Sequence, residues 1–148
     1  MDKEIYEKLC SYCSYQERCG ADVKGKLMKL KVPKEDFAVY IDRLTDENFL
    51  NEDRYAKYFV SAHAKKKWGK TKIKSALSRK GINSDIIKQY LDDMDTEDYD
   101  ERIKMLAEKK WNSIRTGLAR DKKTKVLRFL LSKGYEMSKA LAAIKALQ

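Results

Sequence analysis

The chain has 148 residues, with 33 Lys or Arg against 23 Asp or Glu, so its formal net charge is +10. One proline and six glycines exclude collagen-like and proline-rich architectures, and a 43% hydrophobic content with nine tyrosines argues against a disordered chain. The sequence contains no run of about 18 apolar residues, which a membrane-spanning helix requires.

The first predicted helix covers about residues 4–16 and carries two of the three cysteines. Its apolar stripe contains Tyr6, Cys10 and Cys13 at helical spacings of four and three. Three cysteines do not form a simple disulfide framework, and a zinc or redox site lacks its other elements nearby. We therefore expect these thiols and Cys19 to be reduced and to pack as small core residues. Reduced cysteines, and a start without an apolar signal segment, predict a cytoplasmic protein.

A ten-residue pattern occurs three times along the chain. Its copies are Val23–Val32, Ile73–Ile82 and Val126–Tyr135, each with apolar residues at the first, fifth and last positions. Aligned apolar positions continue downstream of each copy at Phe37, Ile87 and Ala140, at Ile41, Leu91 and Ile144, and at Leu44, Met94 and Leu147. The spacing of three and four predicts helices, and the repetition predicts an array of helical units.

The end of the middle helix is marked in each copy. In the second and third copies a Lys-Gly pair predicts that Gly81 and Gly134 adopt the left-handed conformation that follows a helix. The first copy has Lys31 at this position, and Pro33 is predicted to open the next helix.

Another helix precedes each copy, so each unit contains three helices. These first helices are predicted over about residues 4–16, 52–67 and 97–114. The predicted fold class is all-α, with three tandem three-helix repeats forming an elongated, curved array. The predicted repeats are residues 1–47, 48–97 and 98–148.

The positive charge is concentrated in the second and third repeats. Residues 1–50 carry 9 basic and 10 acidic side chains, residues 51–98 carry 11 and 8, and residues 99–148 carry 13 and 5. No acid occurs between Arg54 and Ser84. A solvated helix face is one interpretation, but unpaired like charges repel, which favours binding to a polyanion, either phosphate backbone or an acidic protein surface. The candidate partner- or DNA-binding residues are Arg54, Lys57, Lys65, Lys66, Lys67, Lys70, Lys72, Lys74, Arg79 and Lys80.

Two tryptophans, Trp68 and Trp111, lie beside the basic stretches. Each either packs in the core at the end of a first helix or stacks on a nucleic-acid base or a partner. The sequence leaves both interpretations open.

The sequence lacks the motifs that are typical of common enzyme active sites. It contains no glycine-rich phosphate loop, no dinucleotide-binding motif and no nucleophile elbow, and His63 is its single histidine. The carboxylates at residues 92–98, Asp95 among them, lie in a helix connection and are interpreted as solvated acids. We therefore predict a protein that is not an enzyme, with no catalytic residue, metal site or cofactor.

The second repeat carries a resemblance to a known family. Residues 50–59 read LNEDRYAKYF, and a basic run with Gly69 leads to Ile73, Leu77 and the sequence Lys80-Gly81-Ile82. This order resembles the signature of the RecX family, bacterial regulators of the RecA recombinase. The resemblance covers about residues 5–147, including the threefold repeat and the extra residues 112–122 in the third unit. The chain departs from the family at Tyr55, where Phe is common, at Lys31, which replaces a glycine, and in its cysteine-rich first helix.

The resemblance implies a non-enzymatic regulator of DNA recombination, repair and the SOS response. RecX-like proteins bind RecA filaments on DNA, lie in the helical groove of the filament and oppose strand exchange, ATP hydrolysis and filament growth. The expected partners are therefore the RecA filament and single- or double-stranded DNA, and a monomer without membrane contact is expected. The candidate basic residues would carry part of this binding, although Arg54 has an alternative role in pairing with an acid to hold the fold. Two other interpretations stay open: a nonspecific nucleic-acid-binding helical protein without a recombinase partner, and a scaffold for acidic partners.

Overall fold

The computed structural model describes residues 1–94 and 96–147, so Asp95 in the predicted acidic connection and Gln148 lie outside the described residues. The described residues form α-helices and one 3-10 turn and contain no strand, which confirms the predicted all-α class. The helices are α1 Lys3–Tyr15, α2 Gly20–Lys29, α3 Phe37–Asp46, α4 Glu52–Lys65, α5 Lys70–Arg79, α6 Ser84–Asp92, α7 Thr96–Ser113, α8 Ala119–Ser132 and α9 Met137–Lys145. The predicted first helices correspond to α1, α4 and α7. Among the described helices, none is long and apolar enough to cross a membrane.

The same hydrogen-bonded turn follows α2, α5 and α8. Lys31, Gly81 and Gly134 have φ values of 61°, 81° and 95°. In each turn the next amide donates to the carbonyl five residues back, from Val32 to Leu27 at 3.0 Å, Ile82 to Leu77 at 3.2 Å and Tyr135 to Leu130 at 3.1 Å. This Schellman geometry confirms the prediction for both glycines, and it shows Lys31 in a conformation that disfavours side chains with a Cβ.

Side chains from the connecting segments cap the helices. The Asn51 side-chain oxygen accepts from the Arg54 amide at 2.8 Å, at the start of α4. Asn83 accepts in the same way from the Asp85 amide at 2.8 Å, at the start of α6. Pro33 precedes the 3-10 turn that leads into α3, as predicted. These caps satisfy backbone groups that each helix start leaves without a partner.

The chain divides into two compact units. Unit 1 comprises Met1–Phe59 and Leu77–Lys88. Its core is built chiefly from α1, α2 and α3, and Cys13 belongs to it while Cys10 packs against it. Cys19 is also buried, and burial raises the pKa of the Cys13 thiol to about 11. The prediction that the cysteines pack as core residues is confirmed for Cys13 and Cys19, and Cys10 packs against the core; their reduced state stays a prediction.

Unit 2 comprises Val60–Ala76 and the chain from Gln89 onward. Its core is built from α7, α8 and α9 and contains Tyr99 and Tyr135, whose rings lie 5.5 Å apart. Trp111 is half-buried and packs against this core, which confirms the packing interpretation for that residue. The repeat boundaries and the curved array stay predictions.

Candidate functional site

The structure places the ten predicted basic residues in two groups. Six lie in unit 2, at the end of α4, in the turn that follows it and on α5, and are named the lysine cluster: Lys65, Lys66, Lys67, Lys70, Lys72 and Lys74. The other four lie in unit 1: Arg54, Lys57, Arg79 and Lys80.

The end of α4 and the turn that follows it present three ammonium groups. Lys67 has a φ of 66°, and the Trp68 amide donates to the His63 carbonyl at 3.0 Å, so the turn has Schellman geometry. The Tyr135 hydroxyl donates to the Lys67 carbonyl at 2.6 Å and fixes the backbone. The side chains of Lys65, Lys66 and Lys67 are exposed, and none of the three pairs with an acid in the described part of the chain. The turn is therefore a fixed backbone that carries three free positive charges.

A close approach of two glycines holds this turn against the turn after α8. The Gly69 amide donates to the Lys133 carbonyl at 2.7 Å, and the Thr71 amide donates to the Gly134 carbonyl at 2.9 Å. A Cβ at position 69 would lie 2.3 Å from the carbonyl carbon and oxygen of Gly134. Only glycine permits this contact, which gives a physical reason for Gly69 in the sequence pattern.

The first amides of α5 are already occupied by protein acceptors. The Lys70 amide donates to the Tyr99 hydroxyl at 3.0 Å, and the next amide, of Thr71, is bound to Gly134. Burial and the hydrogen bond to Glu136 raise the pKa of Tyr99, so its hydroxyl stays protonated and also donates to that carboxylate. Anions often bind free backbone amides at the start of a helix. Since the amides at the start of α5 already donate to protein acceptors, an anion at the lysine cluster would be bound by the ammonium groups.

Two members of the lysine cluster contact aromatic rings. The Lys70 ammonium lies 5.0 Å from the centre of the Tyr99 ring, and the Lys72 ammonium lies 4.2 Å from the Trp68 ring. Trp68 is half-buried and also packs against His63, with 4.3 Å between ring centres. Lys70 and Lys72 are thus partly engaged by the protein, while Lys74 is exposed. The base-stacking interpretation of Trp68 stays a prediction.

Acids approach the lysine cluster from α7. A groove of about 790 Å³ is lined by Lys67 together with Asp98, Glu101, Glu108 and the exposed Met105. The sequence shows no acid between Arg54 and Ser84, but these carboxylates come from a later helix. The cluster is therefore less isolated from negative charge in space than along the chain.

Arg54 serves mainly to hold unit 1 together. Its guanidinium lies 2.5 Å from the Glu17 carboxylate and donates to the Asn48 carbonyl at 3.0 Å and the Phe49 carbonyl at 3.3 Å. These contacts agree with the alternative role of Arg54 as the partner of an acid, here an acid before α2. The planar guanidinium satisfies several acceptors at once, which lysine cannot do.

Lys80 also has an internal partner, the carboxylate of Asp22 at 3.0 Å. Burial opposes the charged form of Lys80, but the hydrogen bond to Asp22 and its charge outweigh burial and raise the Lys80 pKa. Lys57 and Arg79 are exposed. Within unit 1, Lys57 is the candidate residue best placed to meet a partner.

The predicted set omitted basic side chains in the third repeat. The surface of α8 carries Arg120, Lys122, Lys123, Lys125 and Arg128, and the Lys122 ammonium lies 4.1 Å from the Trp111 ring. The signal that points to them is the excess of 13 basic over 5 acidic residues in residues 99–148. Among the described residues, no group of three or more His, Cys, Asp or Glu side chains is placed to hold a metal ion.

Comparison with known proteins matches two family models in order along the chain. The second three-helix domain of RecX matches residues 51–91, and the third three-helix domain matches residues 97–144. The regulatory protein RecX of Clostridium perfringens (strain 13 / Type A) is 35% identical over 117 residues, which are 78% of this chain and 55% of the relative. This chain spans about half the length of the curated relatives it matches.

Two solved structures share the fold. A crystal structure of regulatory protein RecX has a TM-score of 0.86 at 27% identity and covers 97% of this chain and 70% of its own. The crystal structure of RecX from Lactobacillus salivarius has a TM-score of 0.81 at 29% identity and covers 97% of this chain and 94% of its own. Since both domain models match in order and the fold agrees along nearly the whole chain, this chain belongs to the RecX family.

Proposed function

We propose that this chain binds RecA recombinase filaments on DNA and inhibits ATP hydrolysis, strand exchange and filament growth, acting as a regulator and not as an enzyme. The observation that carries the proposal is family membership through the second and third three-helix domains. The matched relatives are named regulatory proteins.

The lysine cluster gives the proposal a physical basis. A nucleoprotein filament presents a dense line of phosphate charge, and ammonium groups without an internal partner gain free energy by approaching it. Lys65, Lys66 and Lys67 are such groups on a turn that Tyr135 and Gly134 already fix. Because this backbone is ordered before binding, little conformational entropy is lost on contact.

The test compares two triple charge reversals in a RecA ATPase assay on single-stranded DNA. One variant carries Lys65→Glu, Lys66→Glu and Lys67→Glu. The control carries Lys8→Glu, Lys29→Glu and Lys34→Glu. These three lysines are exposed in unit 1, and their reversal changes the net charge by the same amount. Each exposed pair contributes roughly 0.2–1 kcal/mol, so the first variant should need roughly tenfold more protein for half-inhibition.

The control should stay within about twofold of the unmodified chain. If both variants lose inhibition equally, net charge and not the lysine cluster governs binding. If neither loses it at near-physiological salt, the cluster is not the contact. Circular dichroism of both variants checks that helicity is unchanged.

The alternative is a nonspecific nucleic-acid-binding protein without a recombinase partner. The basic surface of α8 is the observation that favours it. On bare single-stranded DNA, each phosphate contact contributes roughly −0.7 to the slope of log affinity against log salt. Neutralising Lys65, Lys66 and Lys67 to Gln should then make the slope shallower by about 2. Tight, steeply salt-dependent DNA binding with no effect on the recombinase would favour this alternative.

The proposed setting is the cytoplasm, and the proposed state is a monomer. Buried thiols without a disulfide support a reducing compartment. Size-exclusion chromatography with light scattering should give a mass near 17.3 kDa, and twice that mass would contradict the monomer.

A further inference from the structure

Unit 1 contains a basic groove that the proposed function does not use. Its volume is about 520 Å³, within the range of protein ligand sites. Four cations line it, namely Arg18, Lys24, Arg79 and Lys80, against the single carboxylate of Glu52. We infer that this groove binds an acidic peptide segment of a partner protein, with an apolar side chain of that segment on its floor.

The charges in the groove leave a positive excess for a ligand. Lys80 is already paired with Asp22, and Glu52 accepts from the Asn83 amide at 2.5 Å. Arg18 stacks over the Tyr12 ring at 3.7 Å, and its guanidinium donates to the Tyr12 carbonyl at 3.1 Å. A carboxylate in the groove would therefore meet a fixed guanidinium at Arg18.

The free cation on this groove is Lys24. Its side chain is exposed on α2, and it has no ion pair with any described residue. Arg79, the last residue of α5, also lines the groove. An anion in the groove would therefore meet the Lys24 ammonium, which has no ion-pair partner among the described residues to compete with it.

The remaining lining distinguishes a peptide from nucleic acid. Ile41, Leu50 and Ile82 give the groove an apolar floor, and no aromatic side chain is among the described residues that line it. Sequence-tolerant binding of single strands depends on aromatic stacking, which this groove does not offer. A peptide with an apolar side chain flanked by carboxylates matches both the apolar floor and the basic residues that line the groove.

Two glycines leave the groove walls open to a peptide backbone. A Cβ built at Gly20 or Gly81 would meet no atom within 4 Å. The open space beside both glycines leaves room for an extended chain along the groove.

The test measures fluorescence anisotropy of the labelled peptide DELDE with the full chain at low salt. Lys24→Glu should weaken binding roughly tenfold, because it replaces an attraction with a repulsion at contact distance. Lys29→Glu is the matched control, since it makes the same charge change at an exposed site on α2 outside the groove, and it should change affinity less than about twofold. Peptide DEGDE should bind roughly fivefold more weakly if the apolar floor is used.

Equal losses in the two lysine variants, equal binding of the two peptides, or no measurable binding of DELDE would each overturn the inference. An oligothymidylate that binds more tightly than DELDE with the same dependence on Lys24 would also overturn it, in favour of nucleic acid. Since no recombinase or DNA is present in the peptide arm, its failure leaves the proposed function untouched. Conversely, a failure of recombinase inhibition would leave the groove's peptide binding standing.

Discussion

The contact between Gly69 and Gly134 is the structural feature of the lysine-bearing turn that is easiest to test quantitatively. Gly69→Ala would place a Cβ 2.3 Å from the Gly134 carbonyl and 2.4 Å from the Tyr135 amide, so the two turns must separate by about 1 Å to restore ordinary contact. That separation breaks the bonds from Gly69 to Lys133, from Thr71 to Gly134 and from Tyr135 to Lys67. At about 1 kcal/mol each, the expected loss in the free energy of unfolding is about 3 kcal/mol.

Urea unfolding followed by circular dichroism measures this loss. In thermal unfolding, the substitution should lower the midpoint temperature by roughly 6–12 °C for a chain of this size. Gly25→Ala is the matched control, because Gly25 lies in the middle of α2 and a Cβ there meets nothing within 4 Å. Alanine is the better helix former, so this variant should gain about 1 kcal/mol. The same substitution thus has opposite signs at two glycines. A Gly69→Ala chain within about 0.5 kcal/mol of the parent would refute the close approach.

Three further predictions concern unit 1. Lys31→Gly should raise its stability by about 0.5–1 kcal/mol by relieving a left-handed φ, whereas Lys8→Gly inside α1 should lower it by about 1 kcal/mol, both measured by urea unfolding. Burial opposes the charge of Asp22, but its hydrogen bonds and its ion pair outweigh burial and lower its pKa. Its contribution is therefore complete above pH 3.8 and fades below it, so the deficit of Asp22→Asn against the parent should shrink on acidification from pH 7 to pH 3; a constant deficit would contradict the ion pair. Thiol titration of the native chain should label Cys13 and Cys19 much more slowly than after unfolding, and equal rates would contradict their burial.

Local sequence signals were sufficient to predict the helices and their ends. The left-handed turns at Gly81 and Gly134 follow from glycine after a periodic apolar stretch, and the aligned positions of Leu27, Leu77 and Leu130 are fully buried. These features depend on residues close together in sequence. For that reason a single sequence is enough to find them.

The candidate site was only partly predictable, because its character depends on contacts between distant segments. Lys80 looks like a free cation in the sequence, but Asp22 neutralises it from 58 residues away. For Arg54 the sequence allows an acidic partner but does not identify Glu17, which is 37 residues away. The sequence likewise does not reveal that Tyr99 and Gly134 occupy the amides at the start of α5. A charge count along the chain measures composition and not pairing in space.

The basic groove in unit 1 was also not predictable from a charge count along the chain. Lys24 lies in the repeat whose net charge is close to zero, so composition gives no reason to select it. It lines a cationic groove because folding brings Arg79, the last residue of α5, to the same groove as Lys24 of α2. Folding therefore creates a local excess of charge that the repeat as a whole does not have.

The most direct test of the central proposal is the rate of RecA ATP hydrolysis on single-stranded DNA as the unmodified chain is titrated in. We predict inhibition at protein concentrations at or below those of the recombinase, with the Lys65, Lys66 and Lys67 reversal shifted to higher concentrations. An unchanged rate at stoichiometric levels, with folded protein confirmed by circular dichroism, would contradict the proposal that this chain regulates the recombinase.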